Sequence, residues 1–160
     1  MPNTLHLVEE VAATLLSRRL RLATAESCTG GMLAQECTAL AGSSDWFECG
    51  WVTYSNTSKT ELINVDAQII EMHGAVSAET VSAMTAGVLA NSCADIAVAI
   101  SGVAGPGGGS EDKPVGTVYI AWRSKQGEEF HDRYYFSGDR HQVRTSSVET
   151  ALTGVLEILA

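Results

Sequence analysis

Between Asp95 and Ile100 the chain is apolar on both alternations, with Ile96, Val98 and Ile100 set against Ala97 and Ala99. A strand of that kind offers no face to water, so it belongs inside a sheet with helices packed over both sides. The flanking sequence supplies such helices. Leu5, Val8, Ala12, Leu15 and Leu16 recur at helical spacing between Thr4 and Arg19, and Arg18 and Arg19 in the last turn suit the helix dipole. Leu33, Cys37 and Leu40 keep helical spacing after Gly30 and Gly31, a short helix fits Asp66 to Met72, and Ser77-Ala78-Glu79-Thr80 opens a longer one carrying Val81, Met84 and Val88. A last helix from about Asp139 aligns Val148, Ala151, Leu152 and Val155.

Leu22 to Ala25 and Trp51 to Tyr54 have strand character, as do Gly116 to Trp122 and Phe130 to Phe136, joined by a hairpin near Gln126-Gly127. Asn56 or Ser58 is the expected cap of a helix after the second strand, with Glu61 closing a capping box. Strands and helices therefore alternate, with one hairpin late in the chain. The expected fold is an α/β three-layer sandwich, with a mixed central sheet of about five strands and helices on both faces. No linker or repeat divides the sequence, so residues 1–160 are read as one domain.

Composition narrows the function. The formal charge of −9, with no compensating basic stripe, disfavours nucleic acid as a partner, whereas a few local donors can still hold one small anion. No apolar run reaches the roughly 20 residues of a membrane span, and Met1-Pro2-Asn3-Thr4 does not read as a leader. A cytoplasmic location without membrane contact is the expectation. Cys28, Cys37, Cys49 and Cys93 form no CxxC pair and are read as free thiols. The scattered His6, His73, His131 and His141 give no zinc spacing, so no metal and no cofactor are expected. The sequence leaves room for a homo-oligomer.

Four stretches carry chemistry-bearing residues. Ser27-Cys28-Thr29-Gly30-Gly31 runs from a strand into a helix and aims backbone N–H groups into one space, favouring an oxyanion or a phosphate. Read alone, Ser27 or Thr29 is as readily an ordinary N-cap worth about 1 kcal/mol. Tyr54 and Lys59 lie five apart, at a strand end and in the next helix. An ammonium beside the phenol, or burial of the lysine, would give a proton acceptor near neutral pH; a half-buried tyrosine beside a solvated lysine is the plainer reading. Ser101, Gly102 and Gly105 begin a glycine-dense loop beyond the central strand, where ligands of open α/β sheets bind. It matches neither GxGxxG nor a P-loop. Arg140 and Arg144, four apart on the last helix, share a face and could clamp a phosphate, or simply sit exposed beside Asp139.

Taken together, these blocks resemble a known family. Thr24-Ala25-Glu26-Ser27-Cys28-Thr29-Gly30-Gly31, Ala41-Gly42-Ser43-Ser44 and Thr53-Tyr54-Ser55-Asn56 are similar to the nicotinamide-nucleotide amidases, the CinA C-terminal domain family. His73-Gly74-Ala75-Val76-Ser77, Gly105-Pro106 with Gly108-Gly109, Lys113-Pro114-Val115-Gly116-Thr117-Val118 and Phe136-Ser137-Gly138-Asp139-Arg140 extend the likeness from about Glu10 to the end. Asn64 stands where a glycine is expected, a departure confined to a turn. The resemblance implies hydrolysis of the carboxamide of nicotinamide mononucleotide to nicotinate mononucleotide and ammonia. It implies Ser27 as nucleophile, with Tyr54 and Lys59 activating it. The oxyanion would then face the N–H groups opening the Thr29-Gly30-Gly31 helix, and the phosphate would lie on the Ser101–Ser110 loop or on Arg140 and Arg144. Two other readings compete with this one. One makes Cys28 the nucleophile, and the other is a non-catalytic nucleotide-binding or interaction module of the same fold.

Overall fold

A computed structural model describes residues 4–160; Met1-Pro2-Asn3, read above as part of the N-terminus, lies outside them. The chain runs α1 (Thr4–Arg18), β1 (Leu22–Glu26), α2 (Met32–Thr38), a 3-10 turn (Ser43–Asp45) and β2 (Phe47–Val52). It continues through α3 (Asn56–Ile63), α4 (Ala67–His73), α5 (Ala78–Ala90), β3 (Ile96–Gly102), β4 (Thr117–Ser124), β5 (Glu129–Tyr135) and α6 (Arg140–Leu159). The five strands form one sheet in the order β2-β1-β3-β4-β5. The β2-β1-β3 portion is parallel, and β3-β4-β5 is antiparallel. The expected mixed α/β sandwich is therefore the observed fold.

The double alternation of β3 sorts the two helical layers. Ile96, Val98 and Ile100 join Val118, Ile120 and Trp122 of β4 under α1, α2 and α6, in a core filled by Val11, Leu15, Leu33, Val148 and Leu152. The opposite face is paved with Ala23, Ala25, Ala97, Ala99 and Ala121, against which α5 lays Val81, Met84 and Val88. Methyl groups there let α5 approach the sheet closely. Bulk on one side and small residues on the other follow from the period-2 geometry of the strand.

Local boundaries differ from expectation where tertiary contacts override sequence signals. β2 runs Phe47–Val52 rather than Trp51 to Tyr54, because pairing with Leu22–Glu26 of β1 extends it back through Gly50, where only glycine fits: a Cβ there would lie 2.6 Å from the Thr24 hydroxyl. The cap of α3 is Ser55, whose hydroxyl accepts from the Ser58 N–H at 3.1 Å, not Asn56 or Ser58. Asn64 ends α3 at φ 60°, a left-handed position that asparagine tolerates. Its side-chain oxygen accepts from Asn91 Nδ2 at 2.7 Å. Asp139 caps α6 in a reciprocal capping box with Gln142. Among the described residues, no helix is long and apolar enough to cross a membrane.

Candidate active site

The site lies at the carboxyl ends of β1 and β3, where the chain leaves β1 toward one helical layer and β2 toward the other. Openings of this kind hold ligands in α/β sheets. Ser27 directly follows β1, and its N–H donates to the Ile100 carbonyl at 2.9 Å, which extends the β1–β3 ladder by one step. The chain then turns through Gly30 and Gly31, both at positive φ (57° and 103°). Ser27 is not a helix cap. The N-cap of α2 is Gly31, which makes no side-chain capping bond.

Glu26, a residue the sequence reading passed over, organises this turn. Its buried carboxylate accepts from the Thr29 hydroxyl at 2.6 Å, the Leu33 N–H at 2.8 Å and the Ala34 N–H at 3.1 Å. The opening donors of α2 are thus occupied, and the helix begins at Met32 rather than at Thr29. The expected oxyanion seat at the start of the Thr29-Gly30-Gly31 helix is corrected accordingly: those residues serve the turn, and none of them lines the cleft. Cys28, one residue past Ser27, does line the cleft, and among the described residues its N–H makes no backbone hydrogen bond to another residue.

Lys59 approaches from α3. Its Nζ donates to Ser27 Oγ at 3.1 Å, the Thr53 carbonyl at 2.7 Å and the Tyr54 carbonyl at 3.2 Å, and the side chain has no exposure to solvent. Burial lowers its pKa from 10.5 to about 8, only partly opposed by the nearby Cys28. The plainer sequence reading is inverted, since the lysine is buried and Tyr54 is 60% exposed. The Tyr54 phenol makes no hydrogen bond to Ser27 or Lys59; its oxygen accepts from Arg140 Nη2 at 3.4 Å. Tyr54 meets Lys59 and Ser27 through its main-chain carbonyl instead.

Ser27, Lys59 and Tyr54 share a cleft of about 300 Å³ with Cys28, Ser101, Gly102, Gly105 and Arg140. That volume is at the small end of ligand pockets. Gly107 to Gly109 and the Ala75-Val76 turn complete its wall, and the turn carried no chemical signal in the sequence. The arginine clamp does not form. Arg140 Nη1 donates to the Gly105 carbonyl at 2.7 Å, inside the cleft rim, whereas Arg144 Nη2 reaches the Thr29 carbonyl at 2.9 Å and braces the turn. Burial pushes the Cys28 thiol up to about 12, so no thiolate is present near neutral pH. Among the described residues no group of His, Cys, Asp or Glu is arranged to hold a metal ion.

Residues 4–159 match the family model of the CinA C-terminal domain. The chain belongs to that family. CinA-domain relatives include the nicotinamide-nucleotide amidohydrolase PncC of Escherichia coli, 49% identical over 92% of this chain and 90% of that protein. PncC of Pseudomonas putida is 50% identical over 91% of this chain and 94% of its own length. The chain also matches a CinA-like protein of Akkermansia muciniphila at 44% identity, spanning only 38% of that longer protein. Among solved CinA structures, a competence/damage-inducible protein from Agrobacterium tumefaciens superposes with a TM-score of 0.96 at 37% identity, covering all of this chain and 98% of the other.

Proposed function

We propose that this chain hydrolyses the carboxamide of nicotinamide mononucleotide, with Ser27 as nucleophile and Lys59 as its proton acceptor. The observation that carries the reading is the 3.1 Å contact between Lys59 Nζ and Ser27 Oγ, made by a lysine whose pKa burial lowers to about 8, so that a minor neutral fraction is available as base at physiological pH. The amidohydrolase names of relatives near 50% identity supply the substrate. The chemistry divides between two partners already in contact. Neutral Lys59 takes the proton of Ser27 Oγ as the oxygen bonds to the amide carbon. Lys59 then returns that proton to the nitrogen, the C–N bond breaks and ammonia departs, leaving an ester on Ser27. A water molecule, deprotonated by Lys59, attacks the ester, and the proton goes back to Ser27 as nicotinate mononucleotide leaves.

The developing oxyanion is assigned to the Cys28 N–H, which among the described residues has no backbone acceptor in another residue and belongs to a residue lining the cleft; one such donor is typically worth about 3 kcal/mol in the transition state. The Thr53 and Tyr54 carbonyls fix the Lys59 amine in line with Ser27. The exposed Tyr54 ring, held by Arg140, forms the cleft mouth and takes no proton. Cys28 contributes backbone rather than sulfur, since the cost of burying a thiolate outweighs its own backbone N–H and the nearby Arg144 and Arg140.

The test is ammonia release from nicotinamide mononucleotide, with nicotinamide, the riboside and the dinucleotide as comparisons. Ammonia should appear with the mononucleotide, and Ser27→Ala should lower turnover by roughly 1000-fold or more. Saturable binding without ammonia would replace this reading with the non-catalytic module.

A further inference from the structure

The Ser27–Lys59 cleft continues into a second cavity of about 270 Å³, with Ala75, Val76, Val103 and Gly109 forming a shared wall. Gly74, Ser110 and Lys113 close this second lobe. The chain carries 19 acidic residues against 10 lysines and arginines, yet among the described residues no carboxylate lines either cavity. The charged residues that do are Lys59, Arg140 and Lys113. In so acidic a protein, a carboxylate-free groove with three cations selects an anion locally against the field of the whole.

The three cations are not equivalent. Lys59 is buried on Ser27, and the Arg140 guanidinium is engaged by the Gly105 carbonyl and the Tyr54 hydroxyl. Lys113 makes one hydrogen bond, to the His73 carbonyl at 3.0 Å, and stands 6.0 Å from the centroid of the Tyr119 ring, which together anchor the ammonium at the lobe and leave two of its three N–H donors without a hydrogen-bond acceptor. It makes no ion pair among the described residues. The nearby Glu79 faces His73, at 3.6 Å, and Asp112 offers its backbone carbonyl to Arg133. A Cβ on Gly74 would lie 3.6 Å from Lys113 Nζ, so glycine, at φ 82°, keeps the front of the ammonium uncrowded.

We infer that the Lys113 lobe is the phosphate subsite, seating the 5′-phosphate monoester of a nucleotide whose carboxamide reaches Ser27. The assignment rests on the amidase reading of the Ser27–Lys59 lobe. It moves the phosphate away from the Arg140–Arg144 pair, to the far end of the glycine loop. A compact ammonium with free donors suits a phosphate as a point charge.

Calorimetry on the Ser27→Ala protein, which binds without turnover, measures affinity for nicotinamide mononucleotide and for nicotinamide riboside. Adding Lys113→Met should cut the preference for the phosphorylated ligand by roughly 10- to 100-fold. Lys113→Arg should restore part of it, and both should keep the parent's thermal midpoint. An equal loss on both ligands, an unchanged preference, or no binding of either ligand overturns the assignment. An unchanged preference that Arg140→Met abolishes would give the phosphate to Arg140. Ammonia release by the unmutated protein reports on the amidase reading separately, so a Lys113-dependent preference without ammonia retains the subsite and discards the reaction.

Discussion

A lysine taken out of water loses hydration that three hydrogen bonds only partly replace, and the balance falls on its protonation. In the Lys59 ammonium this loss outweighs all else, lowering the pKa to about 8. The neutral amine is the working base, so kcat/KM should rise about tenfold per pH unit below 8 and level off above it. A pH–rate profile checks this, and Lys59→Arg, which cannot lose its proton, should remove both the activity and the rise. The same shift has a stability signature. Below pH 8 the folded and unfolded chains are both protonated at Lys59, and the fold carries the full cost of the buried cation. Between 8 and 10.5 the unfolded chain alone holds the extra proton, so stability rises with pH across that window. Urea unfolding of Lys59→Met should lack that rise and show a protein more stable than its parent at pH 7.

A helix of seven residues such as α2 has little stability of its own, and most of what holds it comes from outside. Glu26 provides much of that support. One buried carboxylate ties the end of β1 to the Leu33 and Ala34 amides and to the Thr29 hydroxyl, while Arg144 secures the Thr29 carbonyl from α6. Ser27 sits between these anchors, so its position depends on the element that follows it. Glu26→Ala strands two buried donors and one half-buried one and should cost about 2–4 kcal/mol, seen in chemical denaturation. Turnover should fall as well, because the Ser27 turn is no longer tied to α2, even though Glu26 touches no reacting atom.

Across the whole molecule, stability depends on how closely the helical layers meet the sheet. Gly154 of α6 rests on the Trp122 indole, whose Nε1 donates to the Ala151 carbonyl at 2.9 Å. A methyl at Gly154 would overlap the ring, so Gly154→Ala should destabilise by about 1–3 kcal/mol, measured as a lower thermal midpoint. It lies away from the cleft and should leave the pH dependence of turnover as it was. On the other face, Gly87 brings α5 against the Ile63 carbonyl of α3, and α3 is the helix that delivers Lys59. The layer that covers the alanine-paved face therefore also aims the base.

Much of the architecture was legible in the chain alone. Ile96 to Ile100 dictated a central strand covered on both sides, because a side-chain period of two leaves neither face for water. Ser27, the glycines after it and the loop beyond Ser101 were marked by residue type and place. Local sequence could not decide which lysine is buried or which donors are already taken. The plainer expectation was a half-buried Tyr54 beside a solvated Lys59, and only the folded chain, with α3 packed on α4 and α5 and the Lys59 amine bonded to Ser27 and to the Thr53 and Tyr54 carbonyls, drew the lysine inward and left the phenol out. Likewise, the amides opening α2 looked free until the fold brought Glu26 to them. Patterns of burial follow from periodicity along the chain, whereas protonation and hydrogen-bond ownership depend on groups that meet only once the chain has folded.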